Sequence, residues 1–312
     1  MYTFLYCFDN NYNSQAFTSI ISLLTNVSKE ISINIIHTQM SDESFIPKVI
    51  LNHKKLTSIK VSKFNSSNLE FPNITGMHVS EATYYRMYFE TYIPIENKKI
   101  VYIDSDIIFL KCPLKDFESV IKKIDNSGFI LSAKTENNML QNNLQKSKDL
   151  NINSNKYFNA GLMVIDVAKW RENKVENQLI SLQNKLSDVI EFWEQDVLNS
   201  YFDGKYVELP DSHNFFIDLA LALNNGPTSV PNNIASIHYI GKTKPWSVKG
   251  ILQSDSEFFQ IAYRLISRNN FYITHSVRKN SLLILVKSIF SLKIFTVKKP
   301  LSFFLNVLRS MK

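Results

Sequence analysis

Cysteine is almost missing: the 312 residues hold two, Cys7 and Cys112. Neither stands at metal-ligand spacing from another, and both sit in or beside apolar runs. That excludes a thiolate metal centre and reads both as buried thiols in a reducing compartment. A basic segment followed by an apolar one is missing from the N-terminus, so export is not expected and a cytoplasmic protein is. An uncharged apolar run of about 18 residues, the length of a spanning helix, is missing from the tail; its apolar stretch 281–297 is interrupted by Lys287 and Lys293. Acid is missing after Glu257, where ten Lys or Arg follow. Without those ten, 25 bases face 28 acids, so the formal charge of +7 belongs to the tail. The slightly acidic body excludes nucleic acid bound along its whole surface. The basic tail asks for a local anionic partner.

What is present describes a folded protein, with 45% apolar and 20% charged residues. The length suits one domain of about 250 residues plus an appendage. The runs 2–8, 31–37 and 57–62 read as strands, 16–24 has helical spacing, and 42–55 is compatible with a helix. Strands alternating with helices predict an α/β fold with a mostly parallel sheet. Ligands of such sheets bind at the carboxyl ends of strands, where a loop such as 9–13 emerges. Further on, 80–93 reads as a helix capped by Ser80, 137–156 as a mobile loop, and 157–166 as a polar turn entering a strand. A helix over 167–186 and another from Glu191 follow, and 234–246 reads as a strand ending at His238 and a basic loop.

The stretch 98–110 organises the rest. Ile100, Val101 and Ile103 form a β-branched run that stops at Asp104 and Asp106, and a second apolar run follows at once. Side chains at i and i+2 of an extended segment point the same way, so the two carboxylates can converge on one divalent metal. A strand end capped by solvated acids is the other reading. Arg86 lies on a tyrosine-rich segment, either snorkelling over aromatics or held as a guanidinium for phosphate. Asn159 offers donor and acceptor in one amide, and Ala160 and Gly161 leave room for close approach. Glu194, Gln195 and Asp196 cannot all face solvent on a helix whose neighbours are apolar. His238 is either a satisfied core histidine or a ligand, and Gly241 and Lys244 after it suit a diphosphate.

Six segments taken in order resemble glycosyltransferase family 8, the retaining nucleotide-sugar transferases of the GT-A fold. They are Phe8-Asp-Asn-Asn-Tyr, Thr83-Tyr-Tyr-Arg, Val101-Tyr-Ile-Asp-Ser-Asp, Tyr157-Phe-Asn-Ala-Gly with Trp170-Arg171, Glu194-Gln-Asp-Val-Leu-Asn, and His238-Tyr-Ile-Gly-Lys-Thr-Lys-Pro-Trp. The likeness is to bacterial lipooligosaccharide and lipopolysaccharide α-galactosyl- and α-glucosyltransferases. It implies a Rossmann-like, mostly parallel sheet flanked by helices over residues 1–250, with a basic, amphipathic tail over 251–312.

The resemblance implies Asp104, Asp106 and His238 as ligands of Mn2+, which that donor set suits better than Mg2+. It implies Gly241 and Lys244 on the diphosphate of a UDP-sugar, and Asp9, Asn11, Tyr12 and the backbone near Cys7 on the nucleoside. Arg86, Asn159, Ala160, Glu194 and Gln195 match the donor-sugar pocket, and Ser105 joins the donor contacts. Arg86, Glu194 and Gln195 are the candidate catalytic residues. Galactosyl members usually carry Asp-Gln-Asp where this chain has Glu194-Gln195-Asp196, which leaves the sugar open between galactose and glucose. Retention is read as front-face displacement beside Gln195, with a covalent route through Glu194 as the alternative. Ser302, Asn306 and Arg309 form a polar stripe opposite Phe304, Leu305 and Leu308, the pattern of a helix lying on an anionic membrane. A docked C-terminal helix is the other reading. The expectation is a hexosyltransferase on the inner face of the plasma membrane, acting on a lipid-linked glycan. A non-catalytic nucleotide- or glycan-binding module is the alternative. The loops 72–80 and 210–233 are read as acceptor-facing, with Asp211 and Asn214 of the second as candidate acceptor contacts.

Overall fold

The computed structural model describes residues 2–67, 69, 71–72, 80–136, 139–140 and 143–311. The strands β1 (Tyr2–Phe8) and β2 (Ile31–His37) flank α1 (Asn13–Asn26), as their apolar runs predict. The proposed helix over 42–55 is instead a short 3-10 turn, Glu43–Phe45, and a four-residue α2 (Lys48–Leu51). Pro47 stands between them, where a proline cannot continue a helix. Next come β3 (Leu56–Lys63) and the segment Glu81–Met87, which is a 3-10 helix and not the expected α-helix. Ser80 does cap it, accepting from Ala82 N at 3.2 Å.

The stretch 98–110 is two strands, β4 (Lys99–Ile103) and β5 (Ile107–Phe109), in different sheets. After α3 (Leu114–Ser127) and β6 (Leu131–Thr135) comes a helix inside the expected loop, α4 (Leu144–Asp149). Residues 137, 138, 141 and 142 of that loop, and 73–79 of the expected acceptor loop, lie outside the described residues. The long strand β7 (Phe158–Asp166) leads to α5 (Val167–Glu172) and α6 (Val175–Leu186), so the helix read over 167–186 is broken. Lys174 at φ 52 makes the break. Then follow α7 (Trp193–Phe202), β8 (Val207–Glu208), β9 (Phe215–Ile217), α8 (Leu219–Asn225), β10 (Ser236–Tyr239), α9 (Val248–Ile251), α10 (Glu257–Ile266), α11 (Arg278–Phe290) and α12 (Pro300–Ser310).

Among the described residues, seven strands form the main sheet in the order β3-β2-β1-β4-β7-β6-β8. β1, β2, β3 and β4 run parallel and only β7 opposes its neighbours β4 and β6. Helices cover both faces, so β1 is apolar on both: Phe4, Tyr6 and Phe8 join one core and Leu5 and Cys7 the other. The edge strand β3 is half exposed and carries Lys60 and Lys63. A second sheet, β5-β10-β9, shares a third core with Phe259, Ala262 and Tyr263 of α10. Residues directly after 250 thus belong to a packed core. Cys112 is exposed, correcting the expectation of a buried thiol, whereas Cys7 is buried.

Candidate active site

The chain leaves the main sheet at Ile103 and enters the small one at Ile107, and Asp104-Ser105-Asp106 is the crossing. The two acids therefore sit in a turn, closed by Ile107 N to Asp104 O at 3.2 Å, and not in an extended strand. They converge all the same. Antiparallel pairing of β5 with β10 sets Ile107 opposite His238, which carries the imidazole to Asp106. Single ligand atoms of Asp104, Asp106 and His238 lie within 4.8 Å of one another.

Each acid has a cation. Arg86 Nη2 meets Asp104 Oδ1 at 2.7 Å, and Lys244 Nζ meets Asp106 Oδ2 at 2.8 Å. Tyr102 donates its hydroxyl to Asp104 Oδ1 at 2.6 Å. Burial raises the Asp106 carboxyl, but Lys244 and His238 outweigh it and hold the group well below the usual carboxylate range. Asp106 Oδ1 lies 3.1 Å from His238 Nε2, yet it is buried without a hydrogen-bond partner. Two lone-pair atoms at that distance need a cation or a proton between them. A carboxylate–carboxylate–imidazole set facing such a point fits a divalent metal.

Gly161 leaves the space. A Cβ there would lie 2.5 Å from His238 Cε1 and 3.0 Å from Asp104 Oδ2. Its neighbour Ala160 offers backbone only: its O accepts from Arg86 Nη1 at 2.8 Å and its N donates to Gln195 Oε1 at 2.9 Å. Arg86 also pairs through Nε with Glu194 Oε1 at 3.1 Å, and stacks over Tyr102. Asp104 and Glu194 keep its guanidinium more basic than usual although burial opposes this. Glu194 Oε2 accepts the Thr83 hydroxyl at 2.8 Å.

These groups face a cleft of about 660 Å3, at the carboxyl ends of β1 and β4. Of the residues named from sequence, Cys7, Tyr12, Arg86, Asp104, Ser105, Asp106, Asn159, Glu194, Gln195, His238, Gly241 and Lys244 line it. Asp9 does not; it caps the turn Asn10–Tyr12, its carboxylate accepting from Asn11 N at 2.8 Å and Tyr12 N at 3.2 Å. Asn11 is exposed beside it. Burial pushes the Cys7 thiol far up, which leaves it a neutral thiol. Asp196 is structural: fully buried, it accepts from Tyr157 and from Glu191 N and Phe192 N, and pairs with Lys146.

The profile of Glycosyl transferase family 8 matches residues 3–250. The chain belongs to that family. It is similar to glycosyltransferase GlyF of Streptococcus pneumoniae, 24% identical over 88% of this chain and 67% of that one. It is also similar to a lipopolysaccharide 1,2-glucosyltransferase of Escherichia coli, 23% identical over 82% of this chain and 76% of that one. The crystal structure of the galactosyltransferase LgtC with donor and acceptor sugar analogs superposes with a TM-score of 0.71. At 19% identity, the likeness covers 89% of this chain and 99% of that one. The GT-A-like sheet read from sequence is thereby shown.

In this family 8 transferase the two acceptor candidates from sequence fall elsewhere. Asp211 projects into solvent and pairs with Lys134, and Asn214 is fully buried behind His238. Sequence reading missed Glu136, Met139, Phe192, Trp193 and Lys242, which also line the cleft. No local signal marks them; Glu136, Met139, Phe192 and Lys242 arrive from loops and Trp193 from the first residue of α7, all placed by the sheet.

Proposed function

We propose that this family 8 enzyme is a metal-dependent retaining hexosyltransferase that moves galactose or glucose from UDP to a lipid-linked or lipopolysaccharide-type glycan. The convergence of Asp104, Asp106 and His238 beside Lys244 carries the reading. Those three residues would hold the cation, Mn2+ by preference over Mg2+. When bound, it supplies Lewis-acid neutralisation of the charge that develops on the UDP leaving group. Lys244 adds an ammonium for the diphosphate, and Gly241, at φ 74, turns the backbone toward it. Each nitrogen of Arg86 already meets a protein acceptor, so Arg86 acts on the sugar by aiming Asp104 and Glu194. Glu194 spends both oxygens on Arg86 and Thr83, and Gln195 spends its carbonyl on Ala160. Neither is a free nucleophile, which favours front-face displacement: the acceptor hydroxyl attacks from the leaving-group side, and a β-phosphate oxygen takes its proton.

The acceptor class rests on the lipopolysaccharide enzyme among the relatives and on the tail. No helix among the described residues is long and apolar enough to cross a membrane. α11 buries Ser281, Leu285 and Ser288 while exposing Leu282, Leu283, Val286 and Phe290. α12 docks through Phe303 and Val307 and leaves Leu301, Leu305 and Leu308 exposed. Ser302 and Asn306 of the expected polar stripe are half-buried, Ser302 accepting from Asn270. Docking and exposure thus coexist, and the exposed leucines among Lys287, Lys293 and Arg309 fit the surface of an anionic membrane on the cytoplasmic side. Hydrolysis of a UDP-sugar panel with Mn2+ and with EDTA tests the reading. Slow Mn2+-dependent release of UDP from one sugar is expected. No turnover, with UDP binding indifferent to Mn2+, would make the chain a binding module instead.

A further inference from the structure

Behind the metal-ligand cluster runs a line of hydrogen bonds whose direction is fixed at one end. Glu136, on the cleft wall, is a carboxylate and can only accept. Asn159 Nδ2 reaches its Oε1 at 2.8 Å, so that atom of Asn159 is the donor. Asn159 Oδ1 then accepts twice, from Gly161 N at 3.0 Å and from Asn214 Nδ2 at 3.1 Å. A backbone N–H cannot accept, so the Gly161 contact fixes the same orientation independently. Asn214 is left presenting Oδ1 to His238 Nδ1 at 2.9 Å, and an amide oxygen requires a proton on that nitrogen.

The consequence falls on the other ring nitrogen. With the proton on Nδ1, Nε2 carries the lone pair, and it faces Asp106 Oδ1 at 3.1 Å. Asn214 suits the task for a reason visible in its backbone. It sits at φ 52, a left-handed conformation that asparagine tolerates better than most residues, and Ser236 Oγ holds its N–H at 3.0 Å. Residue 214 is fully buried, between the sheet that supplies His238 and the strand that supplies Asn159.

We propose that Asn214 is a positioning residue that locks His238 as the Nδ1–H tautomer, with Glu136 and Asn159 setting its orientation, so that Nε2 is presented to the metal. The inference rests on the proposed metal site and adds the residue that orients its imidazole.

The experiment uses the full chain labelled with 15N in its histidine rings, the His238 signals being assigned by their loss in His238→Gln. In EDTA at pH 8 Nδ1 is expected to carry a proton, with or without a second one shared between Nε2 and Asp106. A ring whose Nδ1 carries no proton would overturn the proposal. Mn2+ affinity, read from free Mn2+ by electron paramagnetic resonance, should weaken about 10- to 100-fold in Asn214→Leu. In Asn214→Asp, whose carboxylate still accepts from Nδ1, affinity should stay within a few-fold. Undiminished affinity in folded Asn214→Leu would overturn the proposal. If the leucine variant does not fold, the tautomer spectrum of the unaltered chain decides. A wild-type chain that takes up no Mn2+ defeats the metal reading, while the metal-free spectrum still judges the relay.

Discussion

Arg86 Nε and Glu194 Oε1 lie 3.1 Å apart, yet the Glu194 carboxyl is pushed up to about 7. Burial is the main cause. Arg86 opposes it, but that guanidinium is shared with Asp104, whose own charge adds to the rise. Glu194 is thus a carboxyl group held at the edge of ionisation on the wall of the cleft.

That edge gives a pH dependence with a defined sign. Between pH 4.5 and about 7 the folded chain keeps a proton on Glu194 that an unfolded chain has released. Raising pH through this window therefore removes stability, by about 3 kcal/mol at most. Glu194→Gln cannot titrate, so the difference in thermal midpoint between wild type and variant should narrow or reverse in the wild type's disfavour as pH rises. A difference flat from pH 5 to 8 would refute the shifted carboxyl.

Asp104→Asn and Asp106→Asn should each lower transferase activity by at least about 100-fold, because the metal loses an anionic ligand and leaving-group charge goes unbalanced. Circular dichroism should show both still folded. Asp106→Asn also leaves the Lys244 ammonium without its carboxylate, so UDP binding without metal should not fall. Isothermal titration with and without Mn2+ checks this.

Gly161→Ala tests the space inside the cluster. The added methyl would meet a His238 ring that Asn214 and burial keep from moving aside. We expect Mn2+ affinity to fall about tenfold or more, with overall fold intact. Equal Mn2+ titrations of variant and wild type would show the ring freer than its contacts imply.

Lys146→Met should be costly although it touches no substrate. Lys146 on α4 is buried and lies 2.9 Å from Asp196, which has no solvent exposure. Removing one partner of such a pair costs about 3 kcal/mol or more, here softened by the bonds Asp196 takes from Tyr157 and two backbone N–H groups. Urea unfolding measures the loss, and a loss under about 1 kcal/mol would mean that Asp196 needs no counter-ion.

Replacing Phe290, Phe295 and Leu301 together by serine removes the most exposed apolar side chains of the tail. Sedimentation with anionic vesicles should fall about tenfold or more, while UDP binding stays unchanged. Undiminished sedimentation would place the membrane contact elsewhere.

The local chemistry of this chain is written in its sequence. β-branched and aromatic runs decide the strands β1, β2 and β4, because period and propensity act within a few residues. Asp104 and Asp106 are legible as a pair for the same reason, and Pro47 and Lys174 show what local reading overlooks: breaks inside stretches that otherwise scan as helix. What stands next to what is a different matter. His238 comes to stand beside Asp106 only because β5 and β10 pair in one register, and Lys146 leaves a stretch that reads as loop to lie buried against Asp196. Asn214, legible at most as a loop residue, is turned inward by a left-handed backbone and the hydroxyl of Ser236. Such meetings join residues far apart in the chain, and only the closed register of two sheets and the burial it enforces decide them.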